Sequence, residues 1–101
     1  KSMTTLTSDT IVAEDTFTDA VRLEGYFNLS ISGTISGTSI VTVQRSMDGS
    51  TDWKDVDTFT KATEDYGYEP EFMYYRAGCK TGEFQAGNSI DIRIGREDKA
   101  R

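Results

Sequence analysis

The eleven residues Val21 to Ile31 alternate in polarity, and this constrains the fold more than any other feature of the chain. Odd positions carry Val21, Leu23, Gly25, Phe27, Leu29 and Ile31; even positions carry Arg22, Glu24, Tyr26, Asn28 and Ser30. Successive side chains of a β-strand point to opposite faces. The pattern therefore predicts a long strand with one face on a core and the other toward water. Gly25 interrupts the apolar row and predicts a bulge or bend there.

The rest of the chain reads in the same vocabulary. Gly33 to Gly37 is a turn segment, and a strand from Ser39 to Ser46 puts Val41 and Val43 on one face. Asp48-Gly49 is a turn signal. A strand carrying Trp53, Val56 and Phe59 departs from strict alternation, which predicts a bulge near Asp55. Lys61 to Glu71 is polar and acidic and contains the only proline, Pro70, so it reads as a long loop. Phe72 to Lys80 is β-rich, with Met73, Tyr75, Ala77 and Cys79 sharing a parity, and Ile90, Ile92 and Ile94 alternate with Asp91 and Arg93. No segment repeats apolar residues at helical spacing. The expectation is an all-β domain over residues 11–96, an antiparallel β-sandwich of jelly-roll-like form with seven or eight strands. Its expected core is Val21, Leu23, Phe27, Leu29, Val41, Val43, Trp53, Tyr75, Ile90, Ile92 and Ile94. Residues 1–10, rich in Thr and Ser, read as an extended N-terminal arm, and 97–101 as a charged tail.

Composition narrows the chemistry. The chain has 101 residues, enough for one domain that buries about 60–65% of its extended surface. It has no histidine and one cysteine, Cys79. That excludes an internal disulfide, a Ser-His-Asp or Cys-His nucleophile, and zinc held by imidazole or thiolate clusters. Cys79 reads as a buried apolar residue. A net charge of −6 repels phosphate backbones, so no nucleic-acid partner is expected. No apolar run is long enough to span a bilayer as a helix, and no signal peptide is read. Synthesis in the cytosol is the expectation, as is the absence of any cofactor, bound metal or catalytic residue.

Three clusters qualify as candidate sites. Glu64, Asp65, Glu69 and Glu71 lie within eight residues beside Tyr66 and Tyr68. Paired carboxylates suit glycoside hydrolysis or calcium, but a loop holds such a pair poorly, and a solvated or partner-facing surface is the preferred reading. Tyrosine favours that reading, because it offers apolar area with a polar tip. Asp48 to Trp53 superficially resembles the start of an EF-hand loop, yet Trp53 stands where glycine is needed and Phe59 where glutamate is needed. It also resembles an aspartate box, but Gly49 and Thr51 each come one position early. It reads as a hairpin turn with Trp53 on the core. Asn28-Leu29-Ser30 is a glycosylation sequon in mid-strand, with modification not expected. Arg22, Arg45, Arg76 and Arg93 fall on strands and are expected to pair with carboxylates on an exposed face; an anion-binding patch is the sharper alternative.

Several segments resemble a known family. Ser39 to Trp53 runs as an apolar strand, Gln44-Arg45-Ser46, Asp48-Gly49, then Trp53. Gly67-Tyr68-Glu69-Pro70-Glu71 precedes Tyr75-Arg76-Ala77-Gly78 and Lys80-Thr81-Gly82, and Phe27 to Gly33 fits as well. Over roughly residues 20 to 95 this order is similar to that of small tailed-phage virion structural proteins of the capsid decoration or cement type. The resemblance implies a bacteriophage structural protein on the outer capsid surface of the virion. Its partner would be the major capsid protein, and a homo-oligomer such as a trimer is expected. It supplies no catalytic residue. The alternative is a receptor- or carbohydrate-binding module of a phage tail or fibre, with a carboxylate-dependent hydrolase far behind. The expected partner contacts are Leu6 and Ile11 on the arm and Tyr66, Tyr68 and Phe72 in the acidic segment. Deleting residues 1–10 is expected to spare the fold and weaken attachment.

Overall fold

The computed structural model describes residues 3–97. They form seven strands and no helix: β1 (Met3–Ile11), β2 (Thr16–Phe17), β3 (Val21–Thr34), β4 (Val41–Ser46), β5 (Lys54–Phe59), β6 (Thr63–Cys79) and β7 (Ser89–Glu97). All pair antiparallel in one sheet ordered β1-β7-β3-β6-β4-β5, with β2 joining the side of β6.

The two longest strands are the spine. β3 pairs with β6 from Val21↔Tyr75 to Ile31↔Thr63, and this ribbon pairs directly with β7, β4 and β2. Beyond the ribbon, β7 lines the far end of β3, from Asn28↔Gly95 to Thr34↔Ser89. β4 lines the other end of β6, from Thr42↔Gly78 to Ser46↔Tyr74. Where β3 stops at Tyr75, β2 takes over the same side of β6, opposite Gly78 and Cys79. Thr18 prolongs the contact: its amide donates to the Ala77 carbonyl at 2.8 Å, and its hydroxyl accepts from the Ala77 amide at 3.1 Å.

The ribbon bends at the expected place. Leu23 faces Met73 but Gly25 faces Glu69, so Glu24 stands opposite Pro70, Glu71 and Phe72. Gly25 has φ +84°, a conformation that only glycine takes without strain. Pro70 brings no amide hydrogen, and the bulge is where the ladder does not need one. The amide of Glu71, freed from the ladder, donates to Glu69 Oε2 at 3.0 Å. The bulge expected near Asp55 is also present: Val43 faces Asp57 and Gln44 faces Asp55, leaving Val56 extra.

The core is one cluster. Leu29 and Ile31 of β3, Ile90, Ile92 and Ile94 of β7, Val41 and Val43 of β4, and Met73, Tyr75, Ala77 and Cys79 of β6 are all buried within it, with Leu23 and Ile11. Val21 and Phe27, expected in the core, are half-buried and pack against its margin. Trp53 lies outside the cluster, because it covers Arg76 instead. Cys79 is fully buried, and desolvation raises its thiol pKa.

Two segments differ from the sequence reading. The N-terminal segment runs as β1 along β7, from Met3↔Glu97 to Ile11↔Ile90, with Leu6 as an extra residue in the ladder. Its Thr and Ser side chains need no apolar alternation because β7 supplies the isoleucines. The segment from Lys61 to Glu71 is mostly strand rather than loop, since Thr63 begins β6. Beyond Glu97, the charged tail lies outside the described residues, as do Lys1 and Ser2 of the arm.

Candidate docking face

Alternation along the ribbon sorts its side chains. Gly67 and Glu69 lie under β3 on the core side, where the Phe27 ring fills the space that a Cβ on Gly67 would need. Tyr26, Tyr66 and Tyr68 take the opposite face, with Tyr26 directly across from Tyr68. These three rings are 72%, 79% and 59% exposed. Tyr26 and Tyr68 have centroids 4.8 Å apart with planes tilted by 56°. Phe72 in the bulge is also exposed, and the Arg22 guanidinium lies 4.1 Å from its ring centre. Ser30 donates to Glu64 at 2.6 Å, and Arg93 donates to Asn28 and to Thr5 at 2.7 Å each, fixing the polar margin.

The acidic cluster is therefore divided. Glu64 faces outward beside the tyrosines, and Asp65 is half-buried and accepts from the Tyr66 amide. Glu69 is 1% exposed and accepts from Arg45 Nε at 2.6 Å, Arg45 Nη2 at 2.8 Å, the Tyr75 hydroxyl at 2.7 Å and the Glu71 amide. The Arg45 hydrogen bond dominates, overcoming burial, and holds the Glu69 carboxyl down at about 2. Burial and the neighbouring carboxylate push Tyr75 up to about 12. A carboxylate so clamped serves as a structural anion. Among the described residues no group of three or more His, Cys, Asp or Glu side chains is placed to hold a metal ion.

The expected partner contacts separate in the same way. Tyr66, Tyr68 and Phe72 come together on the exposed ribbon face. Leu6 and Ile11 do not join them: Ile11 is wholly buried, and Leu6 packs against the core. Ile11 belongs to the interior of the fold and Leu6 to the margin of its core. Tyr26, across the strand from Tyr68, was absent from the sequence expectation; its even parity on β3 with Arg22 and Glu24 was the available signal.

The arginines also differ from expectation. Only Arg45 meets a carboxylate in an ion pair within salt-bridge distance among the strand arginines described. Arg76 is sandwiched 4.2 Å from the Phe17 ring centre and 4.3 Å from that of Trp53. It donates to Gln44 Oε1 at 2.8 Å, and Gln44 passes a hydrogen bond to Asp55, which pairs with Lys80. This stack covers the second face of β4, whose Thr42, Gln44 and Ser46 are buried although polar.

The turn after β4 is a polar lock. Asp48 accepts from the Ser50 and Thr51 amides and the Thr51 hydroxyl, and Ser46 donates to the Thr51 carbonyl at 2.6 Å. The Thr51 hydroxyl and the two amides keep the Asp48 carboxyl well below the usual carboxylate range. A cleft of about 630 Å³ opens between this turn, β5 and the bulge, with Met73 at its base and Met47, Val56, Arg45 and Lys54 around it. Comparison with protein-family models, curated proteins and solved structures gives no match to this chain.

Proposed function

We propose that this chain is a structural virion protein of a tailed phage, a capsid decoration protein that binds the outer surface of the head through the exposed face of the β3–β6 ribbon. The observation that carries the reading is the placement of Tyr26, Tyr66 and Tyr68 on rigid paired strands, exposed on one face while the other face builds the core. Aromatic side chains on a fixed scaffold lose little freedom on binding and suit interface centres. The phage part of the proposal, with the major capsid protein as partner and the virion exterior as location, rests on the resemblance in motif order over roughly residues 20 to 95. Assembly as a homo-oligomer, a trimer at a symmetry axis, belongs to the same reading, because repeated weak contacts gain strength through avidity. So does a jelly-roll-like sandwich: residues of β7 and β4, strands that are not neighbours in the sheet, share one buried cluster, as in a sheet folded over on itself.

The test is cosedimentation of the purified protein with empty heads of its phage. Saturation at a fixed copy number per capsid subunit is the expected result, with a rise in the temperature at which heads disrupt. Failure to sediment at any concentration overturns the reading. The second reading, a carbohydrate-binding module of a tail or fibre, is favoured by the same tyrosines, since sugar rings stack on aromatic faces. A glycan array that lights up while heads do not would establish it.

A further inference from the structure

The ribbon face combines aromatic rings with carboxylates that, among the described residues, have no cationic partner within salt-bridge distance. Glu24, Glu64 and Glu71 are exposed on or beside it, and among the described residues the Glu64 carboxylate accepts only from a neutral hydroxyl, that of Ser30. The cation closest to the tyrosines along β3, Arg22, is drawn over Phe72. Arg93, across the next strand, is engaged with Thr5 and Asn28. Lys61 precedes β6, but the chain as a whole carries −6.

The face of an aromatic ring carries negative potential and attracts a cation, most often a guanidinium, which stacks flat and still pairs with a carboxylate at its edge. The chain itself uses this chemistry at Arg22 on Phe72 and at Arg76 between Phe17 and Trp53. Tyr26, Tyr66 and Tyr68 present the same kind of surface, with no cation over it among the described residues. Nucleic acid and anionic lipid are repelled by the surrounding carboxylates. An uncharged sugar would stack on the rings but gain nothing from the acids.

We infer that the outer face of the β3–β6 ribbon docks a basic protein segment, whose arginines stack on Tyr26, Tyr66 and Tyr68 and pair with Glu24 and Glu64. This inference rests on the docking reading above for its interface and adds the chemistry of the partner.

The probe is an acetylated, amidated decapeptide alternating Arg and Thr, titrated into the isotope-labelled full chain and followed by amide NMR shifts. A Glu-Thr decapeptide and cellohexaose are the comparison ligands. Shifts concentrated in residues 22–28 and 64–72 with the arginine peptide alone are expected. Paired Tyr66→Ala and Tyr68→Ala substitutions should weaken binding by about tenfold, the size of a lost cation–π contact or two. Tyr66→Phe with Tyr68→Phe should retain binding, and Glu24→Gln with Glu64→Gln should weaken it and flatten its dependence on salt. Equal binding of the glutamate peptide, shifts elsewhere, unchanged affinity in the alanine variant, or shifts with cellohexaose only would each overturn the inference. If the arginine peptide binds here while phage heads do not, the head assignment fails and the inference stands. If heads bind and the alanine variant is unaffected toward heads and peptide alike, the inference fails and the head assignment stands.

Discussion

Arg45 on β4 grips both oxygens of the buried Glu69 carboxylate on β6, across the point where the β3–β6 ribbon bends. Removing one member of such a pair leaves a charge stranded in the interior, a loss on the order of 3–5 kcal/mol for fully buried pairs. Arg45 is 34% exposed, which places the expected cost of Arg45→Met near the lower end, about 3 kcal/mol. Adding Glu69→Gln should restore part of that stability, because the amide keeps an acceptor for Tyr75 and carries no charge. Urea unfolding of the two single variants and the double variant measures the coupling; strict additivity would sink the idea that the two side chains act as a unit.

The same carboxylate makes stability depend on pH. Glu69 titrates at about 2 in the fold against an ordinary 4.5. Its contribution is therefore fully present above the unfolded value and is lost as pH falls through the folded one. The difference corresponds to about 3 kcal/mol between roughly pH 5 and pH 2. Asp55, lowered by Lys80, adds to the slope in the same direction. Unfolding midpoints measured down this range should fall steeply for the native chain and less for Glu69→Gln. Parallel slopes would mean that Glu69 is not held as described.

Arg76 holds two rings and one amide in place. Arg76→Ala should cost about 1–2 kcal/mol and move Trp53 emission to longer wavelength as water reaches the indole. Arg76→Lys keeps the charge but loses the flat stack and should recover less than half. Thermal melts with tryptophan fluorescence read both effects at once.

Gly78 has no room for a side chain. A Cβ there would meet the Thr16 carbonyl oxygen and the Phe17 Cα, both backbone of β2, whereas one on Gly25 would meet open space. Gly78→Ala is expected to cost at least about 3 kcal/mol, because the backbone of β2 must move. Gly25→Ala should cost only its positive φ, about 1–2 kcal/mol. Equal losses in chemical denaturation would contradict this ordering.

Deleting residues 1–10 should now be destabilising, in contrast to the expectation drawn from sequence. It exposes the edge of β7 and removes Leu6 from the margin of the core. A loss of about 2–3 kcal/mol, or roughly 10–20 °C in melting temperature, is expected by calorimetry. An unchanged melt would show that β1 contributes little to the folded state.

Much of this architecture was legible where apolar residues alternate. The Val21–Ile31 run gave β3 and its bend at Gly25, and Ile90, Ile92 and Ile94 gave β7. The start of β6 was hidden because its core-facing positions are Asp65, Gly67 and Glu69. Gly67 is filled by Phe27 from the next strand, and Glu69 is neutralised by Arg45 from β4. Neither compensation leaves a local pattern. β1 was hidden for a related reason: an edge strand of Thr and Ser borrows its apolar neighbours from β7. Tyr66, Tyr68 and Phe72 were visible as surface aromatics, but their alignment with Tyr26 depends on the register of the ribbon.

The position of β7 also bears on how the chain is made. This strand lies between β1 and β3, so β1, the first of the seven described strands, gains its neighbour only after the other six have emerged. Until then β1 has nothing to pair with, and the outer edge of β3 stands open with Leu29 and Ile31 beside it. Pairings this distant in sequence form slowly, and unpaired edges attract other nascent chains. Crowded expression should therefore favour aggregation of shortened products lacking β7, while a chain that includes β7 closes the gap between β1 and β3.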